Sequence, residues 1–454
     1  MNTPTHKIHI ITLGCAKNTV DSEALHSQLR GNDFELTENM NNASVAIINT
    51  CGFIEEAKKQ SIETILEAVK RKNEGKLQHV YVMGCLSERY HADLQREIPE
   101  VSGFFGSNDQ PKIVSALGGN YKYELLGERA LSTPRHYAYV KISEGCDNPC
   151  SFCAIPLMRG THRSKPIEQI MSEVMKLVAK GVKELIVIGQ DTTYYGLDLY
   201  GSRKLASLLR SLATVKELEW IRLMYAYPAK FPLDVLDVFA ENPKICPYID
   251  IPVQHASDEV LKSMRRGITR RAVTELIGKI RSAVPHIALR TTLIAGYPNE
   301  TESDVNELIE FMREIEFDRL GVFTYSQEDD TAAYALGDPI PQEEKENRRA
   351  RLMEVQRQIS IRRNEEKIGS VVRAVVERKE DGVFAGRTVW DAPEIDDEIF
   401  IAGSERHPQE SGRSRSGASA PEREMFNLSA GTFVDVLVTD ATEHDLYGKA
   451  VHQS

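Results

Sequence analysis

Three cysteines crowd onto one short stretch, Glu144-Gly145-Cys146-Asp147-Asn148-Pro149-Cys150-Ser151-Phe152-Cys153. It follows directly on an apolar, strand-like run at 137–142. Thiolates held this close imply an electrophile shared between them. A structural zinc site takes four ligands in a closed tetrahedron, and no fourth cysteine or histidine stands at zinc spacing, His162 being the nearest. An iron–sulfur cluster also usually takes four thiolates. Three leave one iron open, which suits a cluster that must hold a substrate or cosubstrate. A zinc loop short of one ligand and three unconnected packing cysteines are the plainer alternatives.

A second set is spread along the chain. The strand-like runs 7–13, 44–49 and 79–83 lead into Cys15, Cys51 and Cys85. Each cysteine therefore sits just past the carboxyl end of a strand. Helical spacing follows each run, over 21–30, 54–69 and 88–97. Strands alternating with helices predict a doubly wound parallel sheet. Its strand ends share one edge, where ligands bind, so cysteines 36 and 34 residues apart can converge. We read them as ligands of a second cluster, again with one open iron. Small buried cysteines at tight turns are the alternative.

The elements that position these residues fall into three parts, 1–125, 135–368 and 369–454, with a polar connection over 120–134. The central part repeats a strand-then-helix rhythm six times, with strands at 137–142, 184–188, 220–224, 248–251, 288–294 and 319–324. Six such units predict a partial barrel, open on one side, with active residues at the carboxyl ends of its strands. The Cys146 loop follows the first of them. A charged helix over 341–367 joins this part to five short strands, which predict a small antiparallel barrel. The Ser-, Gly- and Arg-rich stretch 403–423 interrupts that barrel and reads as a disordered loop. His255, at another strand end, reads equally as a structural hydrogen-bonder or a catalytic group. Cys246 reads as structural.

Composition narrows the class. The net charge of −11 argues against a general nucleic-acid binder. Seven cysteines, an odd count without a recognisable export signal, argue for a reducing cytoplasm and against a disulfide framework. No run approaches the ~20 apolar residues of a membrane span.

Cys146-x3-Cys150-x-Phe152-Cys153 resembles the signature of the radical S-adenosylmethionine (SAM) superfamily, and the whole chain resembles its methylthiotransferase family. Several strings resemble the branch that modifies an aspartate of small-subunit ribosomal protein twelve. They are Ser143-Glu144-Gly145-Cys146, Pro156-Leu157-Met158-Arg159-Gly160, Gln190-Asp191-Thr192-Thr193-Tyr194-Tyr195-Gly196, Tyr325-Ser326-Gln327-Glu328-Asp329-Asp330-Thr331 and Asp391-Ala392-Pro393-Glu394-Ile395-Asp396. The sister branch modifies an adenosine of transfer RNA by the same chemistry. The resemblance implies two 4Fe-4S clusters, one on each cysteine set, a radical SAM core and a TRAM-like last barrel. It implies methylthio insertion at the aspartate β-carbon, with SAM as cosubstrate, a low-potential electron donor and a sulfur source. Gly189, Gln190 and Asp191, and the glycine of Ala295-Gly296-Tyr297, stand at strand ends where SAM could be held. Residues 370–454 carry 9 Lys and Arg against 16 Asp and Glu, a balance that would repel RNA and suit a basic ribosomal protein.

Overall fold

The computed structural model describes residues 6–402 and 428–451. The expected loop 403–423 lies outside the described residues. Lys7–Thr12, Val45–Thr50 and His79–Gly84 form the centre of a five-stranded parallel sheet, flanked by the short strands Glu35–Leu36 and Gly103–Phe104. Alternation decides which face each residue buries. Val45 and Ile47 pack against Leu25 and Leu29 of the helix Ala16–Gly31. Ala46 and Ile48 pack against Ile65, Ala68 and Val69 of the helix Glu55–Asn73. Helices thus cover both faces, as a parallel sheet requires. In chain order the strands lie 2-1-3-4-5. The topological switch point, where open α/β sheets bind ligands, therefore falls between the strands leading to Cys15 and Cys51.

The central sheet has six parallel strands in unbroken spatial order, from Tyr137–Lys141 through Glu184–Ile188, Trp220–Leu223, Ile245–Asp250 and Ala288–Ala295 to Arg319–Thr324. It does not close on itself, as a partial barrel should not. Its outer face is buried under helices through side chains such as Val174, Leu208, Val238, Ile277 and Leu308. The long helix Gln342–Glu365 covers the last strand with Leu352, Val355 and Ile359. Three short helices were not legible in the sequence: Ile155–Arg159, Leu197–Tyr200 and Asp258–Ser263. The helix expected over 88–97 is broken at Tyr90 into Cys85–Arg89 and His91–Glu97.

The last domain is a closed five-stranded barrel. Four of its five pairings are antiparallel, but Ile399–Ala402 runs parallel to Leu446–Val451. That one pair departs from the expected all-antiparallel order. The segment 387–397 of this domain plugs the amino-terminal end of the central barrel. Arg319 reaches Asp391 at 2.6 Å and Asp397 at 3.2 Å. The Tyr248 hydroxyl donates to Asp396 at 2.7 Å, and Tyr137 donates to Glu394 at 3.0 Å. Glu184, fully buried, is shared by Arg222 at 3.0 Å and Arg387 at 2.6 Å. Several of the domain's carboxylates are therefore spent inside this interface. The acidic count of 370–454 overstates the charge its surface presents to a partner.

Burial alone would push the Asp391 carboxyl up, but Arg319 and Lys367 beside it hold it below the usual range. Arg319→Met would strand that charge. The variant is expected to lose about 3–5 kcal/mol, the usual cost of breaking a buried ion pair from one side, read as an earlier urea midpoint for the last two domains.

Candidate active site

Two glycines let the three dispersed cysteines approach one another. Gly14 has φ +90°, and a Cβ there would stand 2.7 Å from the Cβ of Cys51. Gly84 has φ +100°, and a Cβ there would meet the Thr50 carbonyl oxygen at 2.6 Å. Only glycine tolerates both the left-handed backbone and the close contact. Cys15 then caps the helix Ala16–Gly31, Cys51 follows Val45–Thr50, and Cys85 opens the helix Cys85–Arg89. Asn18 pins this edge by donating to the carbonyls of Leu13 at 2.7 Å and Thr50 at 3.1 Å.

The other set sits on a loop tied at both ends. Cys146 N–H donates to the Gly160 carbonyl at 3.1 Å, and Ser151 N–H donates to Met264 at 3.0 Å. Arg266 donates to the Cys150 sulfur at 3.2 Å, with the Tyr227 hydroxyl 3.7 Å away on the same sulfur. Asp191 accepts from Asn148 at 2.8 Å, and Gln190 donates to Glu144 at 3.0 Å. Gly189, Gln190 and Asp191 therefore border the Cys146 loop. Gly296 does not share that arrangement. Its amide donates to Glu300 at 2.9 Å, and its missing side chain makes room for Lys345, whose Cγ would lie 2.3 Å from a Cβ. Packing against the long helix already requires glycine at that position.

The segments that carry the two sets meet through Arg159. Its side chain is 2 % exposed and donates to the Cys85 sulfur at 3.2 Å, to Asp21 at 2.7 Å and to Asn18. It also lies 3.4 Å from Glu144, two residues before Cys146. Lys141 joins Asp21 and Glu144 from the other side. Burial alone would push the Glu144 carboxyl up, yet Lys141 and Arg159 hold it well below the usual range. Ala154, Ile155 and Met158, directly after Cys153, pack on Cys85. A chain of contacts thus runs from Cys85 through Arg159 and Glu144 to Gln190. The sequence pointed at these residues only as parts of strings. Lys141, Asp21 and Arg159 are up to 138 residues apart, and nothing in their local pattern announces the pairing.

A clamp closes the same interface. Glu328, 3 % exposed, pairs with Lys58 at 3.2 Å and Arg89 at 2.5 Å, both from the first domain. His255 accepts the Ser257 N–H on Nδ1 at 2.9 Å and lies 3.2 Å from Glu300 through Nε2. Both ring nitrogens are engaged in structure. Cys246 lies near the start of Ile245–Asp250, away from the strand carboxyl ends that lead to the Cys146 loop.

The donor set fits clusters. Burial pushes the Cys85 and Cys146 thiols up to about 11 and Cys153 to about 12. Such thiols stay protonated in neutral water unless a metal displaces the proton. Among the described residues no three His, Cys, Asp or Glu converge on one metal ion. A cluster does not ask this of its ligands, because each thiolate binds a different iron. Buried polar atoms without partners also border the site: Ser143 Oγ, Gln190 Oε1, Gln254 Oε1 and Arg266 Nε on the barrel side, Asn49 Oδ1 and Ser87 Oγ on the other. Buried groups of this kind call for a polar partner that the chain itself does not supply.

Comparison with known proteins agrees in all three parts. Residues 7–106 match the Uncharacterized protein family UPF0004, residues 140–312 the Radical SAM superfamily, and residues 368–451 the TRAM domain. The radical SAM methyltransferase TsrM from Kitasatospora setae, solved with cobalamin and a 4Fe-4S cluster, shares the fold. Its TM-score is 0.55 at 13 % identity, over 84 % of this chain and 80 % of that one. The ribosomal protein uS12 methylthiotransferase RimO of Christiangramia forsetii is 50 % identical over 98 % of this chain and 95 % of its own. That of Cytophaga hutchinsonii is 51 % identical over 98 % of both. With half its residues shared along almost its whole length, the chain belongs to the ribosomal protein uS12 methylthiotransferase RimO family.

Proposed function

We propose that the protein inserts a methylthio group at the β-carbon of an aspartate of ribosomal protein uS12, small-subunit protein twelve. The observation that supports this reading is that the segments carrying the two three-cysteine sets are joined across one interface by Arg159. Cys146, Cys150 and Cys153 would hold the cluster that binds SAM, and Cys15, Cys51 and Cys85 the auxiliary one. When bound, the clusters and SAM supply what no side chain can: a radical able to break an unactivated C–H bond, and the sulfur and methyl that replace the hydrogen.

The chain's own residues do the rest. Arg266 and Tyr227 hold Cys150, and Arg159 holds Cys85, so each set presents one sulfur fixed by a donor. Hydrogen bonds to ligand sulfurs tune a cluster's potential and orient it. Gly189, Gln190 and Asp191 would line the SAM site beside Asn148. The plug formed by 387–397 fills the barrel's amino-terminal end, so that end offers ligands and water no entry. A low-potential electron donor and a sulfur source are required partners. A ribosomal protein as substrate places the reaction in the cytoplasm, and among the described residues no helix is long and apolar enough to cross a membrane.

Four outcomes test the assignment. Cys150→Ala is expected to lose 5′-deoxyadenosine formation while still binding iron at the amino-terminal cysteines. Cys51→Ala is expected to yield no methylthiolated uS12, measured by mass spectrometry of the intact protein; product from that variant contradicts the auxiliary role. Transfer RNA assayed alongside should stay unmodified, and a methylthiolated adenosine instead would assign the sister reaction. Arg159→Met is expected to shift the auxiliary cluster to lower potential in an EPR-monitored redox titration, since a donor to a ligand sulfur stabilises the reduced form. An unchanged potential would leave Arg159 a purely structural part.

A further inference from the structure

Lys17 is a largely buried lysine whose ammonium, among the described residues, is paired with no carboxylate. It stands two residues beyond Cys15, in the first turn of Ala16–Gly31, and is 9 % exposed. Its ammonium lies over the face of Tyr225, 3.1 Å from the ring centroid. Tyr225 sits just past the carboxyl end of Trp220–Leu223, and its carbonyl accepts the Thr192 N–H at 3.0 Å. The ring therefore belongs to the same rim as Gln190 and Asp191. Ala16 and Val20, on the same helix, pack onto the barrel residues Tyr139, Ile188 and Met224. The helix thus lies across the barrel mouth.

The carboxylates that could neutralise Lys17 are already engaged. Asp21, one turn further along the helix, is taken by Lys141 and Arg159, and so is Glu144. Among the described residues no carboxylate pairs with Lys17. Lys141 and Arg159 thus occupy both of these carboxylates. An aromatic face returns part of the hydration an ammonium loses, but an unpaired buried charge stays costly. An ammonium engaged only by an aromatic face is free to take a carboxylate from a ligand.

We propose that Lys17 receives the carboxylate of the residue being modified, and so makes the enzyme select an acidic side chain. This rests on the uS12 reading above. A carboxylate taken by Lys17 would enter at the rim that Tyr225 shares with Gln190 and Asp191. Lys17 would thus be a specificity-determining residue placed on the auxiliary domain and reaching into the barrel's mouth.

The test is binding of a labelled uS12 peptide, centred on the modified aspartate, to anaerobically reconstituted holoenzyme, read by fluorescence anisotropy. A second peptide carries asparagine at that position. The wild type is expected to favour the aspartate peptide by about tenfold or more, the scale of one charge-assisted hydrogen bond. Lys17→Met is expected to bind both alike, and Lys17→Arg to keep the preference. Equal affinity of the wild type for both peptides, a comparison that needs no variant to fold, overturns the proposal. So does an aspartate preference that survives in Lys17→Met. A Lys17→Met enzyme that keeps the preference but shows a raised KM for SAM would assign the ammonium to the cosubstrate's carboxylate, and would also overturn it. A wild type that methylthiolates no uS12 in a parallel assay would instead bring down the function reading, a failure separate from any result with Lys17.

Discussion

The guanidinium of Arg159 is the constraint around which the two halves of the site are arranged. A fully buried cation is tolerable only when its donors are satisfied by groups of opposite or matching polarity. Here those groups come from two domains: Asp21, Asn18 and Cys85 from the first, Glu144 from the second. Neither domain could bury Arg159 alone. Their relative position follows from its satisfaction, and with it the distance between the two cysteine sets. The turn at Gly160 and the packing of Met158 beside Cys85 keep the short helix carrying Arg159 where these bonds can form.

The same economy of buried charge recurs at the opposite end of the barrel. Glu184, Arg222, Arg387, Arg319 and Asp391 lock the last domain into the lumen with scarcely any solvent exposure. One end of the barrel is thereby closed by ion pairs and the other is capped by the helix Ala16–Gly31. Between these two ends lie the strand carboxyl ends and the loop that carries Cys146, Cys150 and Cys153. The clamp of Glu328 on Lys58 and Arg89 fixes the first domain to the far edge of the barrel, so the cap is held from both sides.

Much of this was readable from the chain. Cys15, Cys51 and Cys85 stand just after strand ends that share one edge of a parallel sheet, and the Cys146 loop follows the first barrel strand, so the strand rhythm placed these residues in the fold. The order of the barrel strands followed from a rhythm of local patterns. What was not readable depends on long-range pairing. Arg159 and Asp21 are 138 residues apart, and each looks like an ordinary surface charge in its own neighbourhood. Gly296 looked like a ligand-facing glycine because its neighbours form a strand end, yet Lys345 of a later helix fills the space beside it. The parallel pair in the last barrel brings Ile399–Ala402 beside Leu446–Val451, a register no turn specifies. The acidic excess of that domain looked like a surface property, and the plug shows that part of it is internal.

The central claim is that Cys15, Cys51 and Cys85 hold one iron–sulfur cluster and Cys146, Cys150 and Cys153 another, both opening onto one cavity. A crystal structure of the anaerobically reconstituted protein, with anomalous scattering at the iron edge, tests it most directly. Two iron peaks are predicted, one at each cysteine set, each with one iron free of protein thiolate and turned toward the space beside Lys17 and Gln190. A single peak, or two whose open irons point away from each other, would contradict the account.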